Sequence, residues 1–582
     1  MVPKLYELKS PSQLKGLSIN ELTLLSEELR APLMRKLAAR GGHVGPNLGV
    51  VEATVALHYV FDAPQDRIVF DVSHQSYVHK MLTGRIDAFL DPAKYNDVSG
   101  YTNPDESPYD LFEIGHTSTS ISLALGIAKA RDLQHENYRV AAFIGDASLG
   151  GGQALEALNL APTLGTNFTV ILNDNEMSIA ENHGELFTHL AQLRETNGNA
   201  ANNIFKALGY EYIYVANGND IAALIRAFEA AHKADHAVLV HIHTLKGAGL
   251  PVAEADKEKF HYSAPFDMHT GALVNPSPAL TYTDIFARHM MEQMHSDPRV
   301  VTLTAGTPGA IGFTPDRRQA AGAQFVDTGI CEQTAASMCA GLARAGSRPV
   351  FGVMATFIQR AYDQLSQDIA INDLPAVIVS FAGGVWGIPD ATHLGFFDVA
   401  LASNIPNFIF LSPANAEEYT AMLSWAVAQH DHPVYVRTPD GPVTHADYAV
   451  APDFIRAQVI REGSDGIAIV GEGAFLALAT EAAALLEKED VSATVINPRC
   501  LSHVDTATYD KLRDYKCVIT LDDGIVDGGY GQKIAAYFGD SPVKVHTLGL
   551  EKEFLDRYDA SQVLEANGLT PRQIATLALS QR

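Results

Sequence analysis

RVAAFIGDASLGGG (residues 139–152) and NFTVILNDNEMS (167–178) decide how this chain folds. In each, a near-continuous apolar run stops at polar turn residues. A strand that is apolar along its whole length is buried on both faces, as in a parallel sheet covered by helices. HAVLVHIH (236–243) repeats the pattern, and the intervening segments Gln153 to Leu160 and Asp220 to Asp235 carry helical periodicity. The class is therefore α/β with a mostly parallel sheet. Open sheets of this kind bind ligands beyond the carboxyl ends of their strands. Asp146 ends the first run, and Asn175 follows the second, 29 residues later. Both belong at that edge.

Outward from these strands the alternation continues. Residues 249–283 are Pro-rich and polar with little periodicity, as a linker would be. Beyond them come RVVTLTA (299–305), RPVFGVM (348–354), LPAVIVSFAG (374–383), FIFLSP (408–413) and HPVYVRTP (432–439). A second break near 445–460 precedes IAIVGEG (467–473), VSATVIN (491–497), CVITLDD (517–523) and VKVHTLG (543–549). The expectation is three α/β domains, at 1–275 with the linker, 280–450 and 455–582. The length of 582 residues fits that number.

Composition removes other classes. With 42 basic against 68 acidic residues the net charge is −26, and such a surface repels nucleic acid and anionic lipid. No run of 18 apolar residues occurs, and the opening MVPKLYELKSPSQLKGL lacks the apolar core of a secretory leader. Cys331, Cys339, Cys500 and Cys517 show no CxxC spacing, so neither a disulfide framework nor a zinc site is expected. A cytoplasmic protein with no membrane or nucleic-acid partner is the expectation.

A carboxylate and an amide oxygen at one sheet edge form a hard donor pair suited to Mg²⁺, which completes its shell with phosphate oxygens and water. The turn Leu149-Gly150-Gly151-Gly152 lets backbone approach a diphosphate, and the helix after it offers its N-terminus to that anion. Taken alone, either half is an ordinary strand-end Asp or Asn-rich turn. The two together, at this spacing, are far more specific.

The Gly145-Asp146-Ala147 and Asn173-Asp174-Asn175 pair resembles the signature of thiamine diphosphate enzymes, with Ala147 in place of a glycine. Also matching are His43-Val44-Gly45, Asp71 to Tyr77, Gly115 to Ser120, Glu156 to Asn159 and Asn175 to Ile179. Together they resemble the transketolase-like group, and within it the 1-deoxy-D-xylulose 5-phosphate synthase family, from about residue 10 to the C-terminus. The resemblance implies three transketolase-like domains, thiamine diphosphate and Mg²⁺ as cofactors, and a homodimer. Asp146, Asn175 and the Met177 carbonyl would hold Mg²⁺. Gly145, Ala147, His74, His116 and Ser118 would flank the cofactor, with Ile179 beneath it and Lys246 and His261 approaching it. Glu332, in Thr328 to Gln333, would share a proton with a ring nitrogen of the cofactor, and Phe357 would stack on that ring. His43, His74 and His393 would handle substrate protons. Arg360, Arg437, Asp390 and His261 would contact substrate, the two arginines at a phosphate. The implied reaction joins pyruvate to the aldehyde sugar phosphate glyceraldehyde 3-phosphate with loss of CO₂.

The match breaks on the acceptor side. The family has His, a Tyr-Ser pair and Arg where this chain has Thr334, Met354-Ala355 and Phe381. Asp390 lies three residues before His393, whereas the family's Asp lies four before. A carboligase of the same cofactor class with another aldehyde acceptor or ketose donor is the alternative. A non-catalytic cofactor-binding homologue is a third reading, opposed by the presence of Asp146, Asn175 and Glu332 together.

Overall fold

A computed structural model of the chain describes residues 4–277 and 279–581. They form two compact units. One comprises residues up to 277 with Gly329–Cys331, and the other the remainder.

The first unit is built on a five-stranded sheet of order β1-β2-β3-β5-β4. Its strands are β1 (Arg67–Phe70), β2 (Val140–Gly145), β3 (Phe168–Asp174), β4 (Glu211–Val215) and β5 (Ala237–His243), and all pair in parallel. The three apolar runs read from the sequence are β2, β3 and β5, the buried middle of the sheet. β4 lies at the edge and is half-exposed, so its EYIYV pattern carries no such signal. Separate apolar layers cover the two faces. One includes the helix Ile19–Arg40, started by a reciprocal Ser18–Glu21 cap. The helix Ile221–Lys233 begins at Asp220, whose carboxylate accepts from the Ala223 amide.

The polar stretch expected as a linker folds back instead. Phe260 and Phe266 are buried in the core of this unit, and the Phe266 amide donates to the Ala38 carbonyl at 2.9 Å. Ser263 pairs with Gly42 as an isolated bridge. Two aromatic anchors without periodicity around them are enough to dock a segment that composition alone reads as a connector.

The second unit contains two sheets. The first has the parallel order β10-β11-β9-β8-β6-β7, from β6 (Val300–Thr304), β7 (Phe325–Asp327), β8 (Arg348–Met354), β9 (Val377–Phe381), β10 (Ile409–Leu411) and β11 (Val434–Arg437). The second has the order β12-β14-β13-β15-β16, from β12 (Gln458–Arg461), β13 (Ile467–Gly471), β14 (Thr494–Asn497), β15 (Cys517–Ile525) and β16 (Lys544–Leu550), with only β12 antiparallel. The break expected near 445–460 is where the chain changes sheet. A shared apolar cluster, with Phe410 and Tyr435 from one side and Ile496, Tyr509 and Tyr530 from the other, runs across it. Among the described residues no helix is long and apolar enough to cross a membrane.

Candidate active site

Strand register gathers the expected residues of the first unit at one edge. Gly145 pairs with Asn173, and Asp174 with His243. Asp146 therefore leaves β2 beside Asn175 leaving β3, and Lys246 follows β5. Phe70 pairs with Phe143, so Asp71 to His74 leave β1 at the same edge. This edge is strained. Val72, Ser73, Ser118 and Glu176 have φ of 56°, 62°, 72° and 68°, a conformation that β-branched residues above all avoid. Ala147 is helical with no positive φ, so an alanine fits where the signature has glycine.

Asp71 holds the turn at Ser118. Its two oxygens accept from the Ser118 and Ser120 amides at 2.8 and 3.0 Å, and the Ser118 hydroxyl donates to the Ser148 carbonyl at 2.7 Å. A Cβ on Gly151 would lie 2.2 Å from Ser118 Oγ. The glycine turn thus admits a serine side chain, and the helix Gly152–Leu160 starts directly after it.

The donor set fits a hard cation. Burial, reinforced by Asp174, pushes the Asp146 carboxyl up to about 8. Its side-chain partner is Asn182, which donates from Nδ2 at 2.8 Å, while Asn182 Oδ1 is buried with no partner. Asn175 Oδ1 accepts from the Met177 amide at 3.2 Å, which shapes the turn carrying the Met177 carbonyl. A buried acid, the Asn175 amide oxygen and a turn carbonyl are oxygen donors of the kind Mg²⁺ takes, and the orphaned Asn182 oxygen marks a polar site nearby. Asp174 is engaged elsewhere, accepting from His241 Nε2 at 2.9 Å and Arg194 Nη1 at 2.5 Å.

Beside these donors stands an aromatic cluster. The His43 ring lies 4.9 Å from His74, 5.7 Å from His261, 5.8 Å from Tyr101 and 5.1 Å from Tyr262. Asn47 fixes it from behind, donating to the His43 and His74 carbonyls at 2.8 and 2.6 Å and accepting from the Tyr77 amide at 3.0 Å. Lys246 Nζ donates to the Ser178 carbonyl at 2.6 Å and lies 3.1 Å from His261 Nδ1. Burial pulls Lys246 down to about 7. Burial and then Lys246 hold His261 well below the usual imidazole range, so its ring is neutral. His116 and Ile179 are half-buried.

In the second unit Glu332 opens the helix Glu332–Arg344 and is only 3% exposed. Burial raises its carboxyl, against the pull of Arg360, whose Nη1 lies 3.6 Å from Glu332 Oε2. A carboxyl held toward its protonated form can share its proton with a ring nitrogen. Phe357 meets His393 edge-on at 5.6 Å. Thr392 Oγ1 donates to Asp390 at 2.6 Å and lies 2.7 Å from His393 Nδ1. With its hydrogen committed, that hydroxyl accepts from Nδ1–H.

Arg437 has carboxylate partners. It is 3% exposed, and its Nε donates to Asp398 at 2.9 Å, Nη1 to Asp523 at 3.3 Å and Nη2 to the Asp523 carbonyl at 2.8 Å. Its fork is held by two buried carboxylates, an ion pair the sequence did not announce. Asp398 and Asp523 lie far from Arg437 in sequence and outside any motif, so nothing in the chain announced them. The same holds for Asn47, Tyr101, Tyr262 and Asn182.

Comparison with known proteins places the chain among relatives. A model of the 1-deoxy-D-xylulose-5-phosphate synthase family matches residues 5–202, and models of the transketolase pyrimidine-binding and C-terminal domains match residues 278–444 and 456–574. The 1-deoxy-D-xylulose-5-phosphate synthase of Symbiobacterium thermophilum is 39% identical over 99% of this chain and 94% of its own. Those of Desulforudis audaxviator and Caldanaerobacter subterraneus are each 37% identical, over 98% and 99% of this chain and 96% and 99% of theirs.

Proposed function

The chain belongs to the 1-deoxy-D-xylulose-5-phosphate synthase family, and from that membership we propose that it joins pyruvate to glyceraldehyde 3-phosphate, giving 1-deoxy-D-xylulose 5-phosphate and CO₂. The observation that carries the reading is the register that puts Asp146 and Asn175 at the sheet edge that also bears the histidine cluster. Thiamine diphosphate, when bound, supplies the carbon nucleophile and electron sink. Asp146, Asn175 and the Met177 carbonyl would hold Mg²⁺ against its diphosphate, with Gly145, Ala147, Ser118 and His116 alongside. Ile179 would support the cofactor from below, Phe357 would stack on its pyrimidine, and Glu332 would hold the proton shared with that ring. Neutral His261 donates or accepts without a buried charge, and Lys246, held near 7, can both carry and release its proton. His43 and His74, kept in place by Asn47, are placed to move protons at the donor carbonyl. His393, oriented by Thr392 and Asp390, would contact the acceptor. Arg360 is the guanidinium assigned to the acceptor phosphate.

A homodimer in the cytoplasm is part of the proposal. Four free cysteines are consistent with a reducing compartment, and light scattering at working concentration tests the dimer. A second reading keeps the cofactor and changes the acceptor. Arg437 buried on Asp398 and Asp523 favours it.

The test is CO₂ release from pyruvate with Mg²⁺ and thiamine diphosphate, with and without glyceraldehyde 3-phosphate. Acceptor-stimulated release with deoxyxylulose phosphate formed, reduced about 10²-fold or more in Glu332→Gln, supports the synthase. Release indifferent to that acceptor shifts the assignment to the second reading. Absence of any release refutes both.

A further inference from the structure

Away from these residues, in the second unit, lies a nucleophilic cluster that the proposed reaction does not use. Cys500 sits just beyond β14, after Arg499, whose φ is 57°. It pairs with Leu411 as an isolated bridge, and the Leu501 amide donates to the Phe410 carbonyl at 2.8 Å, so this segment ties the two sheets of the unit together. Cys500 Sγ lies 3.5 Å from His503 Nδ1 and 3.4 Å from Ser502 Oγ. The helix Tyr530–Tyr537 adds Lys533, whose Nζ donates to the Leu501 and Ser403 carbonyls at 2.8 and 3.0 Å. Tyr530 on that helix and Asp505 after His503 complete the titratable groups that act on the pair.

The thiol packs in an apolar cluster with Leu411 and Phe454, next to a cavity. Cys500 is 1% exposed, but His503 is exposed and Ser502 half-buried. Both line an open cavity of about 510 Å³, with Asn404 and His432 on its other walls. Cys500 itself does not line the cavity; its two polar neighbours do. Burial pushes the thiol up, yet the bond to His503 and that ring's charge outweigh it, so Cys500 stands below the ordinary thiol range. The same bond raises His503. Cys339 and Cys517 are the opposite case, both raised by burial with no imidazole against them.

We propose that Cys500, in hydrogen-bond contact with His503 at the edge of this cavity, is a nucleophile that reacts with hydroperoxides and other small electrophiles reaching it past His503. In the peroxide reaction the sulfur attacks one peroxide oxygen, an S–O bond forms and the O–O bond breaks. The departing hydroxide, or the alkoxide from an organic hydroperoxide, takes the proton that His503 received from the thiol and leaves as water or alcohol. Sulfur is oxidised to sulfenic acid, and the peroxide is the oxidant reduced. His503 thus lowers the thiol's proton affinity and supplies the leaving-group proton.

The full-length protein tests this. Short iodoacetamide pulses across the pH range, mapped by peptide mass spectrometry, give a midpoint for each cysteine. The expected midpoint for Cys500 lies below that of a free thiol, about 8.5, and moves up to or beyond it in His503→Gln. Because the midpoint reads acidity and not access, any opening of the cavity by the variant does not confuse it. Independently, hydrogen peroxide followed by dimedone should tag Cys500 in the unmutated protein and leave Cys339 and Cys517 untagged. A midpoint at or above the free-thiol value, a midpoint unmoved by His503→Gln, or a Cys500 that stays untagged until the protein is denatured would each overturn the proposal.

Discussion

Replacing Arg437 with Met removes the only guanidinium bonded to Asp398 and Asp523, among the described residues, and leaves a side chain of similar length. The two carboxylates are 3% and 2% exposed. Each keeps one backbone donor, Val399 for Asp398 at 2.9 Å and Val385 for Asp523 at 3.0 Å. Neither can reach water, so each must stay charged in a poor medium or take up a proton. Protonating a carboxyl of ordinary pKa near 3.9 at pH 7 costs about 4 kcal/mol, and at pH 5 about 1.5 kcal/mol. That ceiling agrees with the roughly 3–5 kcal/mol lost when one partner of a buried pair is removed. At about 2–4 °C per kcal/mol for a unit of this size, the melting midpoint should fall by on the order of 10 °C at pH 7. The native variant binds more protons than its unfolded chain between the ordinary and the raised carboxyl pKa, so its stability falls as pH rises. The deficit is therefore smaller at pH 5 than at pH 7. Circular dichroism melts of both proteins at the two pH values measure this. An unchanged midpoint, with KM for the aldehyde phosphate raised tenfold or more, would return Arg437 to the phosphate and refute the ion-pair assignment.

Three further outcomes follow from geometry. Gly151→Ala puts a Cβ 2.2 Å from Ser118 Oγ, so cofactor affinity by calorimetry should drop at least about tenfold (1.4 kcal/mol), and Ser118→Ala should restore part of it; no drop would show that the turn yields. Asn47→Ala strips partners from the His43 and His74 carbonyls and the Tyr77 amide, at about 1–3 kcal/mol for each group left unsatisfied. Turnover should fall while far-UV circular dichroism is unchanged, and undiminished kcat would remove Asn47 from the positioning of the histidines. Burial and then Lys80 pull Lys36 down to about 7, against about 10.4 unfolded. The unfolded chain binds more protons between those values, so stability contributed through this site rises with pH across that window; Lys36→Met should melt higher at pH 7 and flatten that rise, and a lower midpoint would mean that the ammonium over the Phe89 ring, 4.1 Å from its centroid, matters more than its burial cost.

The sheets were legible where their strands are buried on both faces. β2, β3 and β5 announce themselves as apolar runs, and the Asp146–Asn175 spacing follows from two such strands standing side by side. Edge strand β4 carries no such run, and β1 is four residues long. The candidate donors Asp146 and Asn175 stood out in the sequence because they end strands. What surrounds them did not, because it comes from loops whose placement no periodicity controls. Tyr101, Tyr262 and Asn182 reach the site only through the folding of irregular segments. Positive φ at Val72, Ser73 and Ser118 is equally silent in the sequence, since none of these residue types marks that conformation.

The acceptor side shows what the departures from the family pattern mean physically. Phe381 is 3% exposed and meets Phe286 edge-on at 5.1 Å, and Met354 lies in the same apolar cluster. These residues have joined the core beneath the sheet edge, and Arg437 is held by Asp398 and Asp523. Arg360 is the guanidinium we propose for the acceptor phosphate, with Arg437 the other candidate. A charge-assisted contact is worth about 1.5–3 kcal/mol, or roughly 10- to 150-fold in kcat/KM. Arg360 also lies 3.6 Å from Glu332 Oε2, so Arg360→Met will lower turnover with any acceptor. The informative quantity is the ratio of kcat/KM for glyceraldehyde 3-phosphate over glyceraldehyde, in which any effect through Glu332 cancels because both acceptors share it. That ratio should collapse by roughly 10- to 150-fold in Arg360→Met. A ratio unchanged by the substitution would place the phosphate on other residues, and a ratio near one in the unmutated protein would favour an unphosphorylated acceptor.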